Sequence, residues 1–256
     1  LFPYTTLFRS RNRQPTGPRL QAAALGLAWV VAAGAGWASP DLPPSCSSDG
    51  VRPPTLVLER FISADCGDCW TEPATPRPTD GAVALDWIVP GRLGDDAPLG
   101  VAASRDATER LQRLNRPAPA RTATRTSAAM TPAQGRLRVA HGLALGGYVG
   151  ASIEWKPARR GAAPVTAWLA LVETLPEGAE GSPVARNLVR NVLIPAWKGH
   201  QSLSKTKSLT FYESRPMNIP EGVRPERLRV IGWVEDAQGR VLGIAQTLCT
   251  PDGQRG

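Results

Sequence analysis

An apolar run at residues 55–62 passes through a short turn into Cys66-Gly67-Asp68-Cys69, and Pro73, Pro76 and Pro78 follow closely. The run reads as a strand. Each proline lacks a backbone N–H and clashes with the turn before it, so a helix starting near Cys66 lasts only a turn or two. The fold must therefore carry a strand into a proline-bounded loop that holds two nearby thiols. A Cys-x-x-Cys pair after a strand is also a redox pattern. In that chemistry Cys66, being N-terminal, attacks, and Cys69 resolves the mixed disulfide.

The rest of the chain is mostly strand-like. Residues 81–89 form a second apolar run ending at Pro90. Residues 104–114 are the best helix: Ser104 is placed to cap it, Ala107, Leu111 and Leu114 share one face, and Arg110 and Arg113 are expected to turn away. Residues 116–131, rich in Arg, Thr, Pro and Ala, read as a linker. Strands are expected at 137–140, 147–155, 164–173, 208–213, 227–235 and 240–248, the last two flanking an Asp236-Ala-Gln-Gly239 turn. Trp87, Trp155, Trp168 and Trp233 read as core, and Trp197, between Pro195 and Gly199, as a surface contact. These strands with short turns suggest a sandwich.

The ends carry other information. Residues 1–10 read as an in-frame translation of a sequencing adapter, an artefact to leave out of fold reasoning. Residues 11–38 read as a signal peptide: Arg11, Arg13 and Arg19 precede an apolar stretch, and Gly36-Trp37-Ala38 offers a cleavage site. The competing reading is an anchor helix, but the stretch is short for a span of ~20 residues. Removing the four arginines of residues 1–38 lowers the net charge from +8 to +4. The remaining basic residues are interspersed with acids, which argues against a nucleic-acid partner.

Four cysteines remain, Cys46, Cys66, Cys69 and Cys249, and an even number in an exported chain reads as two disulfides. Of three pairings, Cys66–Cys69 is favoured locally, which leaves Cys46 with Cys249 as a structural bond between the two ends. The chain-entropy model gives ~5 kcal/mol for so long a loop, an upper figure.

Residues 56–69, 83–89, Arg186-Asn-Leu-Val-Arg190 leading to Ala196-Trp-Lys-Gly199, and the 227–248 hairpin together resemble secreted proteobacterial thioredoxin-like proteins grouped as a domain of unknown function. The resemblance implies a fold of class α/β plus all-β: a degenerate thioredoxin-like unit at 54–135 after an extended lead-in at 39–53, then a β-sandwich-like region at 136–250. It also implies a periplasmic or secreted location. Thioredoxins place a cis-proline beside the Cys pair, and Thr131-Pro132 is the nearest candidate.

Three functional classes follow. The first is a thiol–disulfide oxidoreductase with catalytic Cys66 and Cys69, acting on a periplasmic protein thiol or disulfide. Asp65 and Asp68 oppose it, because negative charge disfavours a thiolate. The second is a non-catalytic interaction or scaffold protein with Cys66–Cys69 as a structural disulfide. The third is a metal protein using Cys66, Cys69, His141 and His200, for which one Cys-x-x-Cys without a second cluster gives little support. The sequence offers no hydrolase motif, no phosphate-binding glycine loop and no cofactor signature. Asp95 and Asp96 read as solvent-facing turn residues.

Overall fold

Apolar runs bounded by Gly, Pro and Asp turns recur along this chain, and most become strands. The computed structural model describes residues 46–159, 164–197 and 209–249, all within the unit formed by residues 42–256. The adapter-like segment, the signal peptide, the start of the lead-in and His200 lie outside the described residues.

The elements are β1 (Cys46–Ser47), β2 (Leu56–Ser63), β3 (Ala82–Val89), α1 (Arg105–Arg113), β4 (Thr122–Ala128), β5 (Gly135–Leu145), β6 (Tyr148–Pro157), β7 (Thr166–Leu175), β8 (Arg186–Leu193), β9 (Phe211–Asn218), β10 (Leu228–Glu235), β11 (Val241–Gln246) and β12 (Leu248–Cys249). Seven strands make a mixed sheet in the order β11-β10-β7-β8-β3-β2-β4, and five make an antiparallel sheet in the order β12-β1-β5-β6-β9. In the larger sheet β2, β3 and β8 run parallel, and the other pairs are antiparallel.

Both faces of the larger sheet are covered, which is why its central strands are apolar almost throughout. On one face Val57, Phe61, Leu85, Trp87, Trp168, Ile231 and Trp233 pack beneath Ala107 and Leu111 of α1. Trp168 stacks on Trp233 with centroids 5.5 Å apart, and Trp87 meets Trp233 edge-on at 6.5 Å. On the other face the smaller sheet covers β7, β10 and β11 through Val139, Ile153, Trp155, Leu169, Leu171 and Val230. Gly232 allows this approach, because a Cβ there would sit 2.6 Å from Val139 Cγ1. Beside it, the loop of residues 64–81 covers β2, β3 and β8, with Cys66, Cys69 and Trp70 packed on Ile62, Ile88 and Leu188.

Two sheets do pack together, but not as a sandwich confined to residues 136–250, and the expected thioredoxin-like α/β unit does not exist. Between parallel β2 and β3 the chain makes only the 3-10 turn Gly67–Cys69, and the single α-helix of the described residues comes after β3. Prolines 73, 76 and 78 are the physical reason. The larger sheet also takes β2, β3 and β4 from residues before 135 and β7, β8, β10 and β11 from residues after it, so the fold is all-β with one helix.

Two local readings change. Residues 122–128, read as linker, form edge strand β4, whose inward positions are Ala123, Arg125 and Ser127. Arg110, expected outside, is buried beneath α1. Other features match: Ser104 Oγ accepts the N–H of Ala107 at 3.2 Å, and all four predicted core tryptophans are buried. Gly146 and Gly147 both have left-handed φ, as the two-residue turn from Leu145 to Tyr148 requires. Trp197 is half-buried against Phe211, centroids 5.3 Å apart, where a surface contact was expected.

Candidate functional sites

The strand β2 ends at Ser63 and delivers Cys66 and Cys69 into the loop, where they form a disulfide. Both residues are buried, at 5% and 3% exposure. No helix N-terminus supports Cys66, which precedes only the short 3-10 turn. Asp65 does not face the sulfurs: its carboxylate accepts the N–H groups of Arg92 and Leu93 at 2.8 and 3.2 Å and ties down the turn after β3. Gly91 is required there, since a Cβ would collide with that carboxylate. Asp68 Oδ1 lies 3.1 Å from Cys66 Sγ, a sulfur that carries no hydrogen in the disulfide. A hydrogen bond from Arg121 holds the Asp68 carboxyl below its usual range, so the charge beside Cys66 persists. That charge disfavours a thiolate. The Thr131–Pro132 bond is cis, but it follows the end of β4 that pairs with Leu56, whereas the Cys pair follows the opposite end of β2.

The loop is fastened to the sheet by a buried ion cluster. Asp86 Oδ2 accepts from Arg60 Nη2 at 2.7 Å, and Oδ1 accepts from Arg186 Nη1 at 2.8 Å. Arg186 Nη2 donates to the Trp70 carbonyl at 2.8 Å, its guanidinium lies 4.3 Å from the Trp70 ring centre, and Arg60 Nη1 donates to the Pro76 carbonyl at 3.0 Å. Trp70 Nε1 donates to the Glu180 carbonyl at 2.8 Å. Burial pulls the Arg186 guanidinium below its usual range, against the favourable charge of Asp86. A cavity of about 70 Å³ reaches Cys69, Arg60 and Arg186. Pockets that hold small ligands measure roughly 300–1,000 Å³.

A second buried cluster lies on the opposite face. Arg110 makes paired hydrogen bonds to Glu59 at 2.7 and 2.9 Å and to Glu235 at 3.1 and 2.7 Å, and it lies over the rings of Trp168 and Trp233. Burial opposes the Arg110 charge, but the two carboxylates outweigh it and hold its pKa above the ordinary arginine value. Adjacent residues Glu59 and Arg60 thus feed opposite faces of one strand. The sequence reading missed both clusters. The signal was present: charges inside runs buried on both faces need partners.

No family model and no curated protein matches this chain. HBP35 of Porphyromonas gingivalis, a solved structure, is similar over 76% of this chain and 74% of its own, at 13% identity and a TM-score of 0.43. A likeness at that level carries no argument.

The other expected bond is present. Cys46 and Cys249 are register partners on β1 and β12, joined by a disulfide with Cα atoms 4.1 Å apart. Beyond the cysteines, a groove of about 490 Å³ opens beside β5 and β11. Leu137, Leu242, Ile244 and Met130 line it, together with Arg52, Arg136, Arg138 and Asp49. A hydrogen bond from Arg138 holds the Asp49 carboxyl below its usual range, so this rim sets three cations against one anion. No helix among the described residues is long and apolar enough to cross a membrane.

Proposed function

We propose that this chain is a non-catalytic binding protein of an oxidising compartment, in which Cys66–Cys69 is a structural disulfide. The observation that carries this reading is the sealing of the pair: both cysteines are buried, and two buried arginines hold the carbonyls of Trp70 and Pro76 on the same loop. Thiol–disulfide exchange needs an accessible sulfur and a stabilised thiolate. Here burial removes the first and Asp68 opposes the second. Two intramolecular disulfides fit an oxidising compartment. The test is a thiol-probe titration of the purified protein across glutathione potentials. Cys66–Cys69 is expected to stay oxidised below the range of known oxidoreductases, roughly −120 to −270 mV. A reversible couple inside that range would restore the enzyme reading.

The groove beside β5 and β11 is the binding site in this proposal. Its apolar lining and excess of arginine suit a small anion with an apolar body. The probe is anilinonaphthalene sulfonate, followed by fluorescence at low salt. Saturable binding is expected, weakened about tenfold (~1.4 kcal/mol) by Arg52→Glu with Arg136→Glu, and weakened by added salt. Equal binding by parent and variant assigns the dye to another surface and removes the groove from the proposal.

A further inference from the structure

The bond between the chain ends has a neighbour that the disulfide alone does not explain. On β12, β1 and β5, Cys249, Cys46 and His141 are successive register partners, so the three residues form one row across three strands. A ring nitrogen of His141 and the two sulfurs all lie within 4.8 Å of one another. His141 is 7% exposed, and its Nε2 is buried without a hydrogen-bond partner among the described residues. Its Nδ1 lies 2.9 Å from the Gly142 carbonyl oxygen. A carbonyl only accepts, so Nδ1 carries the proton and donates, which leaves the Nε2 lone pair free. Metal-binding histidines are oriented in this way, with the second nitrogen donating to a carbonyl or carboxylate.

We infer that Cys46, Cys249 and His141 form a zinc site that is closed while the disulfide stands and opens when it is reduced. Two thiolates and an imidazole match the donor preference of zinc, and three protein ligands leave a fourth position. A cavity of about 270 Å³, lined by Cys46, His141, Cys249 and Glu226, supplies room for water or the Glu226 carboxylate there. The reductant is a dithiol. Cys249 is exposed, unlike Cys66 and Cys69, so a dithiol thiolate reaches this disulfide first. It attacks one sulfur and forms a mixed disulfide, and its second thiol then closes, so the dithiol leaves oxidised by two electrons. Cys46 and Cys249 leave as thiols. Zinc binding to the pair releases their two protons.

The test uses the full chain with Cys66→Ser and Cys69→Ser, which removes the other cysteine cluster. After dithiol reduction and anaerobic removal of the dithiol, zinc is titrated against a chromogenic chelator, and cobalt is used to read thiolate-to-metal absorption. One equivalent of zinc is expected for the reduced protein and none for the oxidised protein. His141→Ala should weaken binding at least about tenfold, a factor that even loss of a supporting partner of a metal-bound histidine can reach. If the serine pair does not fold, the same comparison of parent and His141→Ala in the four-cysteine chain must show loss of one zinc equivalent. If reduction unfolds the chain, zinc must restore its circular dichroism. No uptake by the reduced protein, uptake unchanged by His141→Ala, or no zinc-dependent refolding overturns the inference.

Discussion

Replacing Asp86 by alanine is expected to lower the unfolding free energy by about 3–5 kcal/mol, the range for removing one partner of a buried ion pair. Asp86 is completely buried and takes hydrogen bonds from Arg60, Arg186 and the Asn187 N–H. Without it, two buried guanidinium groups face each other with no counter-charge. A domain of this kind has only about 5–15 kcal/mol in total, so thermal unfolding should move down by roughly 10 °C. A second readout follows from the geometry. Arg60 and Arg186 also hold the carbonyls of Pro76 and Trp70, so the loop should loosen and Cys66–Cys69 should become faster to reduce with dithiol. Asp86→Asn, which keeps an acceptor, should lose less. An Asp86→Ala protein within about 1 kcal/mol of the parent in urea unfolding would show that the cluster does not hold the loop.

Arg110→Met should cost a similar ~3–5 kcal/mol on the opposite face. Glu59 and Glu235 would then share a buried site with no cation between them, apart from Arg125, which reaches Glu59 at 3.0 Å from a partly exposed position. Arg110 also spans the faces of Trp168 and Trp233, and both indole N–H groups donate to Glu235. The diagnostic step is neutralisation. Adding Glu59→Gln and Glu235→Gln to Arg110→Met removes the repulsion while keeping acceptors for the indoles, and more than half of the lost stability should return. Such recovery is a coupling that independent sites do not show. A triple variant no more stable than Arg110→Met would assign the loss to packing under α1 and not to charge.

Several parts of this structure were legible from the residues. The runs at 55–62 and 81–89 are long, apolar and bounded by turn residues, and they became β2 and β3. The prolines after Cys69 stop a helix as a local steric rule says they must. What failed was inference from resemblance: a strand with Cys-x-x-Cys suggested an α/β unit, while its own prolines denied the helix. β4 was hidden because an edge strand keeps one polar face, so Thr122, Thr124 and Thr126 obscured the alternation. Arg110 was read from α1 alone, yet its partners lie 51 and 125 residues away, a distance no local pattern crosses. The Cys46–Cys249 bond was accessible by counting. The His141 beside it was not, because its place depends on the pairing of β1 with β5.

The neighbouring positions of Glu59 and Arg60 also bear on how β2 finds its place. Strand side chains alternate, so a slip by one residue exchanges the two faces. A slip one way would put Arg60 in the place of Glu59, against Arg110 and Arg125, and a slip the other way would put Glu59 in the place of Arg60, against Asp86. Either slip would turn one of these attractions into a repulsion and take the other charge away from its partners. Apolar contacts alone would tolerate the error better, because Val57, Leu58, Phe61 and Ile62 supply greasy side chains in either alignment. The dipeptide therefore acts as a proofreader for strand alignment, rejecting a misthreaded β2 that the hydrophobic residues would accept.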